Sequence, residues 1–221
     1  MTILAIDTST DYLSLAIMRD EKILARFHRR SRMRHSSLLV PMIDRLLKKA
    51  RVKLEAIDCF AISIGPGSFT GLRIGAVTVK GFSYALNKPI VTVPTLDVIA
   101  RNVKGFKGII CPVLDARKNK VYACLYKSDG KNVNKISKYL LLPAKELIEK
   151  TAGYDKIVFL GDGYCSSEQR SCESRTSRHW HPKAEVVARL GAEYYRGKRF
   201  VTAEDLEPMY LYSRECDIKG I

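Results

Sequence analysis

Apolar and polar positions along the chain fall into short runs of two periods. Residues 2–7 alternate and close on Asp7, residues 13–18 repeat the strand pattern, and a polar turn over 20–22 leads into a third strand over 23–27. This predicts a three-stranded meander. A helix is expected over 37–50, where Leu39, Ile43, Leu46 and Ala50 recur at helical spacing. Pro41 fits that helix only near its first turn, because an interior proline loses a hydrogen bond and clashes. A buried strand over 59–64 then runs into Gly65-Pro66-Gly67, and a long helix over 71–86 stops at Asn87-Lys88-Pro89. A short strand over 89–93 and a helix beginning near Thr95 follow.

The same outline is then written again. Residues 108–115 form a strand closing on Asp115, residues 120–127 a second strand, and a turn over 128–131 leads to a third, polar one. A helix over 143–151, a strand over 156–160 ending in Gly161-Asp162-Gly163, and a helix over 183–196 complete the unit. Laying Asp7 on Asp115 brings the second strands and their turns into register without a gap. Two copies of βββαβα predict an α/β protein of two lobes, residues 1–104 and 105–221. The pattern resembles the actin, hexokinase and Hsp70 (ASKHA) superfamily, whose lobes face each other across a nucleotide cleft.

Charge adds a partner class. The net charge of +15 suits work beside nucleic acid, where lysine and arginine neutralise phosphates. Arg26, Arg29, Arg30, Arg32 and Arg34 cluster between a strand and a helix, in what reads as an exposed loop, and Arg29, Arg30 and Arg32 are the candidate nucleic-acid contacts. No apolar run approaches the roughly 20 residues that span a bilayer, and the start lacks the basic region of a signal peptide, so a cytoplasmic protein without membrane contact is expected. Cys59, Cys111 and Cys124 sit in apolar strands, whereas Cys165, Cys172 and Cys216 sit in polar surroundings. The order Cys165-x6-Cys172-x6-His179-x-His181 lacks the close cysteine pair of zinc modules, so residues 164–181 read as a polar surface loop without metal. None of His28, His35, His179 and His181 forms His-Glu-x-x-His, which excludes a metallopeptidase reading.

In the superfamily resembled, phosphates sit between the first hairpins of the two lobes, on backbone N–H groups exposed by glycine. Asp7 and Asp115 occupy the corresponding places, and Gly161 and Gly163 the adenosine side. The turns themselves read Asp7-Thr8-Ser9-Thr10-Asp11 and Asp115-Ala116-Arg117-Lys118-Asn119, without glycine. The expectation is a vestigial nucleotide cleft. The alternative is an ASKHA-type ATPase or small-molecule kinase, in which Asp7 and Asp115 would hold a nucleotide–magnesium complex.

Three segments narrow the resemblance: Ile6-Asp7-Thr8-Ser9-Thr10, the stretch from Arg34-His35-Ser36 to Asp44, and Gly65-Pro66-Gly67-Ser68-Phe69-Thr70-Gly71-Leu72-Arg73-Ile74-Gly75. On these the chain resembles the TsaB (YeaZ) family of the bacterial threonylcarbamoyladenosine tRNA-modification machinery, strongly to about residue 115 and more weakly beyond. Pro208-Met209-Tyr210-Leu211 matches the family's ending, although Tyr212 stands where arginine is usual and Arg214 follows two places on. The resemblance implies a non-catalytic scaffold, a pseudo-enzyme that activates the catalytic paralogue TsaD for transfer to the tRNA adenosine next to the anticodon. A TsaE-like ATPase and tRNA are the further partners, a homodimer is expected in isolation, and the chain holds no cofactor of its own, ATP or ADP belonging only to the complex.

The helices give that partner role a physical basis. In the helix over 71–86, Leu72, Ala76, Val79, Ser83 and Leu86 suit covering a sheet; Ile74, Val77, Gly81 and Tyr84 form a second stripe, and Gly71, Gly75, Thr78 and Phe82 a third. A helix apolar almost all round is buried on more than one side. Some of that burial comes from the helix over 37–50, where Leu38 and Met42 flank the inner stripe. The expected partner interface is Leu38, Met42, Gly71, Ile74, Gly75, Thr78 and Phe82, with the two glycines allowing close backbone approach.

Overall fold

Two mixed sheets carry the meanders that the alternation predicts. A computed structural model describes residues 1–31, 34–163, 173–174 and 180–211. In the first sheet, β1 (Thr2–Asp7), β2 (Tyr12–Arg19) and β3 (Lys22–Arg30) run antiparallel, and β4 (Cys59–Ser63) and β5 (Ile90–Val93) add in parallel, giving the order β3-β2-β1-β4-β5. Asp20 and Glu21 take left-handed φ of 45° and 67° at the tight turn between β2 and β3, as a two-residue hairpin requires.

The helices α1 (His35–Ala50) and α2 (Phe69–Leu86) cover one face of this sheet. Leu39, Ile43 and Leu46 of α1 and Ala76 and Val79 of α2 meet Leu4, Ile6, Leu15 and Phe60 there. Ser68 caps α2, accepting the Gly71 N–H at 3.2 Å, and Asn87 ends it at a left-handed φ of 50°. Because α1 starts at His35, Pro41 lies in its interior rather than near its first turn. Both Pro41 and Ser37, whose carbonyl Pro41 cannot bond, are exposed, which leaves that group open to solvent.

The second sheet repeats the order around β6 (Lys107–Asp115), β7 (Lys120–Ala123), β10 (Leu140–Pro143) and β11 (Ile157–Leu160), after α3 (Thr95–Ala100). The single strand expected over 120–127 is two, β7 and then β8 (Tyr126–Asp129), which pairs with β6 and with β9 (Val133–Lys135). Residues 123–126 are all buried, so the chain cannot alternate there, and it changes partner from β10 to β9. The repeat is also one residue out of step: Asp7 pairs with Ser14, but Asp115 with Val121. The α4 helix (Ala144–Thr151) packs Leu147 with Leu142 and Phe159, and β12 (Glu173–Ser174) lies beside β11.

The expected division at residues 104 and 105 separates the sheets but not the helices. Leu96, Ile99 and Ala100 of α3 join the second sheet's core, with Ile110, Leu114 and Tyr126. Conversely, α5 (Ala184–Arg196) covers the open face of the first sheet, placing Ala184, Val187, Ala188 and Leu190 among Ile3, Ala5, Cys59 and Val91. Gly191 is needed there, since a Cβ would lie 2.6 Å from that of Ala61. Asp97 of α3 ties these parts together: buried, it accepts the hydroxyls of Tyr126 on β8, of Tyr139 at 2.8 Å, and of Tyr194 on α5 at 3.5 Å. Burial first, and then the Asp97 charge, push all three phenols above their usual range.

Candidate functional site

A cleft of about 1690 Å³ opens between the turn after β1, the turn after β6, the outer side of α2, and the chain over 206–211. Each turn is folded around its own aspartate. Asp7 accepts the Ser9 N–H at 3.1 Å and the Ser9 hydroxyl at 3.0 Å, and Asp115 accepts the Arg117 N–H at 2.8 Å. The same local loop therefore recurs in both lobes, and in each a backbone amide of the kind a phosphate would need is already bonded to a carboxylate.

The two aspartates differ in surroundings. Asp7 is fully buried, and burial pushes its carboxyl up to about 6, against the lowering effect of the Ser63 and Ser9 hydroxyls beside it. It does not line the cleft. Asp115 does, exposed and paired with the Arg117 guanidinium at 3.1 Å. The glycines expected to admit adenosine instead admit protein backbone. A Cβ on Gly161 would stand 2.0 Å from the Val113 carbonyl, and one on Gly163 2.5 Å from the Leu114 carbonyl carbon.

The Gly65–Gly75 motif clamps the first turn in the same way. The Ser68 N–H bonds the Ser9 carbonyl at 2.7 Å, and a Cβ on Gly67 would lie 2.2 Å from that oxygen. On Gly71 it would lie 2.1 Å from the Thr8 carbonyl, and on Gly75 2.4 Å from the Thr8 hydroxyl. Gly71 and Gly75 are buried against this turn, so they are not the close-approach surface for a partner that their spacing suggested. Leu38, Met42, Ile74 and Phe82 are partly buried against the first core, and Thr78 bonds its hydroxyl to the Ile74 carbonyl at 2.8 Å. They form the shoulder of the surface rather than its crest.

What α2 presents to solvent is the stripe Phe69, Arg73, Val77, Gly81 and Tyr84, with Val77 68% and Tyr84 81% exposed. On α1, Val40 is 51% exposed. The chain end braces the stripe. Met209 donates its N–H to the Ile64 carbonyl at 2.7 Å, which sets the Tyr210 ring 5.4 Å from that of Phe69. The Arg73 guanidinium lies 3.8 Å over Phe69 and donates from Nε to the Tyr210 oxygen at 3.2 Å. Motif matching marked Tyr210 only as part of an ending; its partners Phe69 and Arg73 were inside the other motif.

Three arginines of the cluster lie in a strand rather than a loop. Arg26, Arg29 and Arg30 belong to β3, which runs three residues beyond its expected end, so alternation sends Arg29 to the opposite face from Arg26 and Arg30. Arg26 pairs with Glu185 of α5 at 2.6 Å, and Arg30 with Asp11 at 2.5 Å. Arg32 lies outside the described residues, as do Cys165, Cys172, His179 and Cys216. Sequence reasoning also missed the stack of His28 and His181 on the two sides of Tyr12, at ring distances of 4.9 and 4.0 Å. Burial holds the His28 imidazole down to about 4 and lowers His181 as well.

Residues 28–162 match the family described as TsaD, tRNA N6-adenosine threonylcarbamoyltransferase. The chain is 29% identical to the tRNA threonylcarbamoyladenosine biosynthesis protein TsaB of Bacillus subtilis, over all of this chain (100%) and 98% of that one. It is 31% identical to the TsaB of Buchnera aphidicola subsp. Baizongia pistaciae over 74% of this chain and 76% of that one. Among solved structures, YeaZ from Pseudomonas aeruginosa superposes with a TM-score of 0.79 at 27% identity, covering 95% of this chain and 99% of that one.

Proposed function

The chain belongs to the TsaB (YeaZ) family of tRNA threonylcarbamoyladenosine biosynthesis proteins, and from that premise we propose that it is a non-catalytic subunit that activates a TsaD-like paralogue by pairing with it along the open face of α2 and α1. The observation that carries this reading is the apolar crest Val77, Gly81 and Tyr84, left in water on a helix whose other sides are packed. Large side chains exposed together at helical spacing suit a helix-to-helix seam, and aromatic and arginine residues such as Tyr84, Phe69 and Arg73 are the usual anchors of such seams. A second copy of the chain would use the same face, giving a homodimer when the paralogue is absent.

The cleft supports a partner role over independent turnover. An ATPase or kinase would need free amides at both turns, but those of Ser9 and Arg117 bond Asp7 and Asp115. In this account ATP or ADP binds only where the paralogue completes a site, and a TsaE-like ATPase joins the pair. Light scattering after size exclusion tests the pairing. The wild-type chain mixed with its TsaD-like paralogue should give a one-to-one heterodimer, and Val77→Glu with Tyr84→Glu should weaken it by roughly 30-fold or more, the effect of losing an anchor worth about 2 kcal/mol. An unchanged heterodimer in the double variant would move the seam elsewhere.

A further inference from the structure

Arg26 and Arg30 of the arginine run are spent on ion pairs, so positive charge available to a partner is sought elsewhere as well. Between residues 101 and 138 the chain carries ten lysines and arginines against two carboxylates, Asp115 and Asp129. Strand register gathers four of these cations at one end of the second sheet. Lys107 pairs with Asp129 and Ile109 with Lys127 across β6 and β8, so Lys107 and Lys127 are diagonal neighbours on one face, roughly 7–8 Å apart at Cα. The Gly105 N–H bonds the Gly130 carbonyl at 3.2 Å, which brings the loops bearing Lys104 and Lys131 alongside. All four lysines are exposed.

One carboxylate, Asp129, lies directly across from Lys107, so it offsets one of the four charges and leaves the rest unpaired. Asp129 spends its carboxylate on its own turn, accepting the N–H groups of Lys131 at 2.8 Å and Asn132 at 2.7 Å, and these bonds hold it down to about 2. Among the described residues, Lys104, Lys107, Lys127 and Lys131 make no ion pair, whereas Arg26, Arg30, Lys48 and Arg196 each do. Lysines often protect a sheet edge from pairing with another chain. That purpose covers Lys135 on the edge strand β9, but not Lys107 and Lys127, which lie on strands paired on both sides. The excess of like charge that Asp129 leaves at this spacing is unfavourable in the free protein and is relieved by a polyanion, whose condensed counterions are released on binding.

We infer that this lysine face of the second sheet docks the phosphate backbone of folded RNA. The surface offers point charges, so it positions the RNA and leaves base recognition to another surface. The inference rests on the function proposed above only for the identity of that RNA as tRNA.

The test measures binding of an unmodified tRNA transcript to the full chain, alone and with the paralogue, as a function of salt. Lys107→Ala, Lys127→Ala and Lys131→Ala together should weaken binding on the order of 100-fold near 0.1 M salt and make the slope of log K against log salt shallower by about 2. The melting temperature and heterodimer formation should be unchanged. An equal loss of charge around the first sheet, Lys22→Ala, Arg189→Ala and Lys198→Ala, should cost less than a tenth of that effect. An unchanged slope in the first variant, equal weakening in both, or equally good competition by poly-glutamate would overturn the assignment. Failure of the wild-type chain to pair with the paralogue would instead remove the proposed function and leave RNA docking by the isolated chain standing.

Discussion

Three glycines of one helix should respond to alanine in different ways, because a methyl group meets different neighbours at each. At Gly81 an added Cβ finds no atom within 4 Å, so the substitution only removes glycine's backbone entropy from an exposed helix interior. Gly81→Ala should stabilise the chain by up to about 1 kcal/mol, which for a protein of this size raises Tm by roughly 2–4 °C. At Gly75 the methyl would stand 2.4 Å from the Thr8 hydroxyl, which makes no hydrogen bond among the described residues and can rotate away. The cost there is about 1 kcal/mol, cancelling most of the helix-propensity gain. At Gly71 the obstacle is the Thr8 backbone carbonyl at 2.1 Å, which cannot rotate. That carbonyl moves only with the turn that holds Asp7, so about 3 kcal/mol is expected, a fall in Tm of roughly 6–12 °C. Thermal melts followed by circular dichroism would give the order Gly81→Ala above wild type, Gly75→Ala near it and Gly71→Ala well below. A Gly71→Ala chain that melts like wild type but no longer pairs with the paralogue would refute the reasoning, and would return that glycine to the partner surface.

Asp97→Ala removes the acceptor of three tyrosine hydroxyls, one of them on the fully buried Tyr126; it should cost about 2–4 kcal/mol, read as a lower urea midpoint, and a change under 1 kcal/mol would mean the network adds little. Two groups, one buried and one half-buried, should oppose each other in acid. Asp7, raised to about 6, contributes stability that is full below about 3.9 and lost as pH rises through 6. His28, lowered to about 4, contributes stability present above about 6.5 and lost as pH falls through 4. Urea midpoints between pH 7 and 4 should therefore fall more steeply for Asp7→Asn than for wild type, and less steeply for His28→Gln; three parallel curves would contradict both assignments.

Much of the architecture is legible in the sequence because each element carries a local signal. The two strands closing on Asp7 and Asp115, and the two ending in Gly-x-Gly, mark a duplicated fold without any tertiary information. The end of β3 is less readable, since His28, Arg29 and Arg30 sit on an edge strand where neither face is fully buried and alternation carries no hydrophobic signal. The motif from Gly65 to Gly75 announces close approach but not its object, and only the folded chain shows that the object is the Ser9 and Thr8 backbone. Contacts that join distant segments leave no local trace at all. Tyr12 and His181 stack across 169 positions, and Tyr194 reaches Asp97 across 97. The lysine face has a trace that composition alone undervalues, because its cations come from two strands and two loops and become neighbours only through strand register.

The measurement that bears most directly on the account is threonylcarbamoyl transfer to a tRNA transcript, with the donor supplied and the paralogue and this chain added separately and together. The chain alone should transfer nothing, the paralogue alone little, and the pair should be active. Val77→Glu with Tyr84→Glu should return the pair to the level of the paralogue alone. Transfer by the isolated chain, or full activity of the pair with that double variant, would contradict a subunit that acts by pairing through the open face of α2.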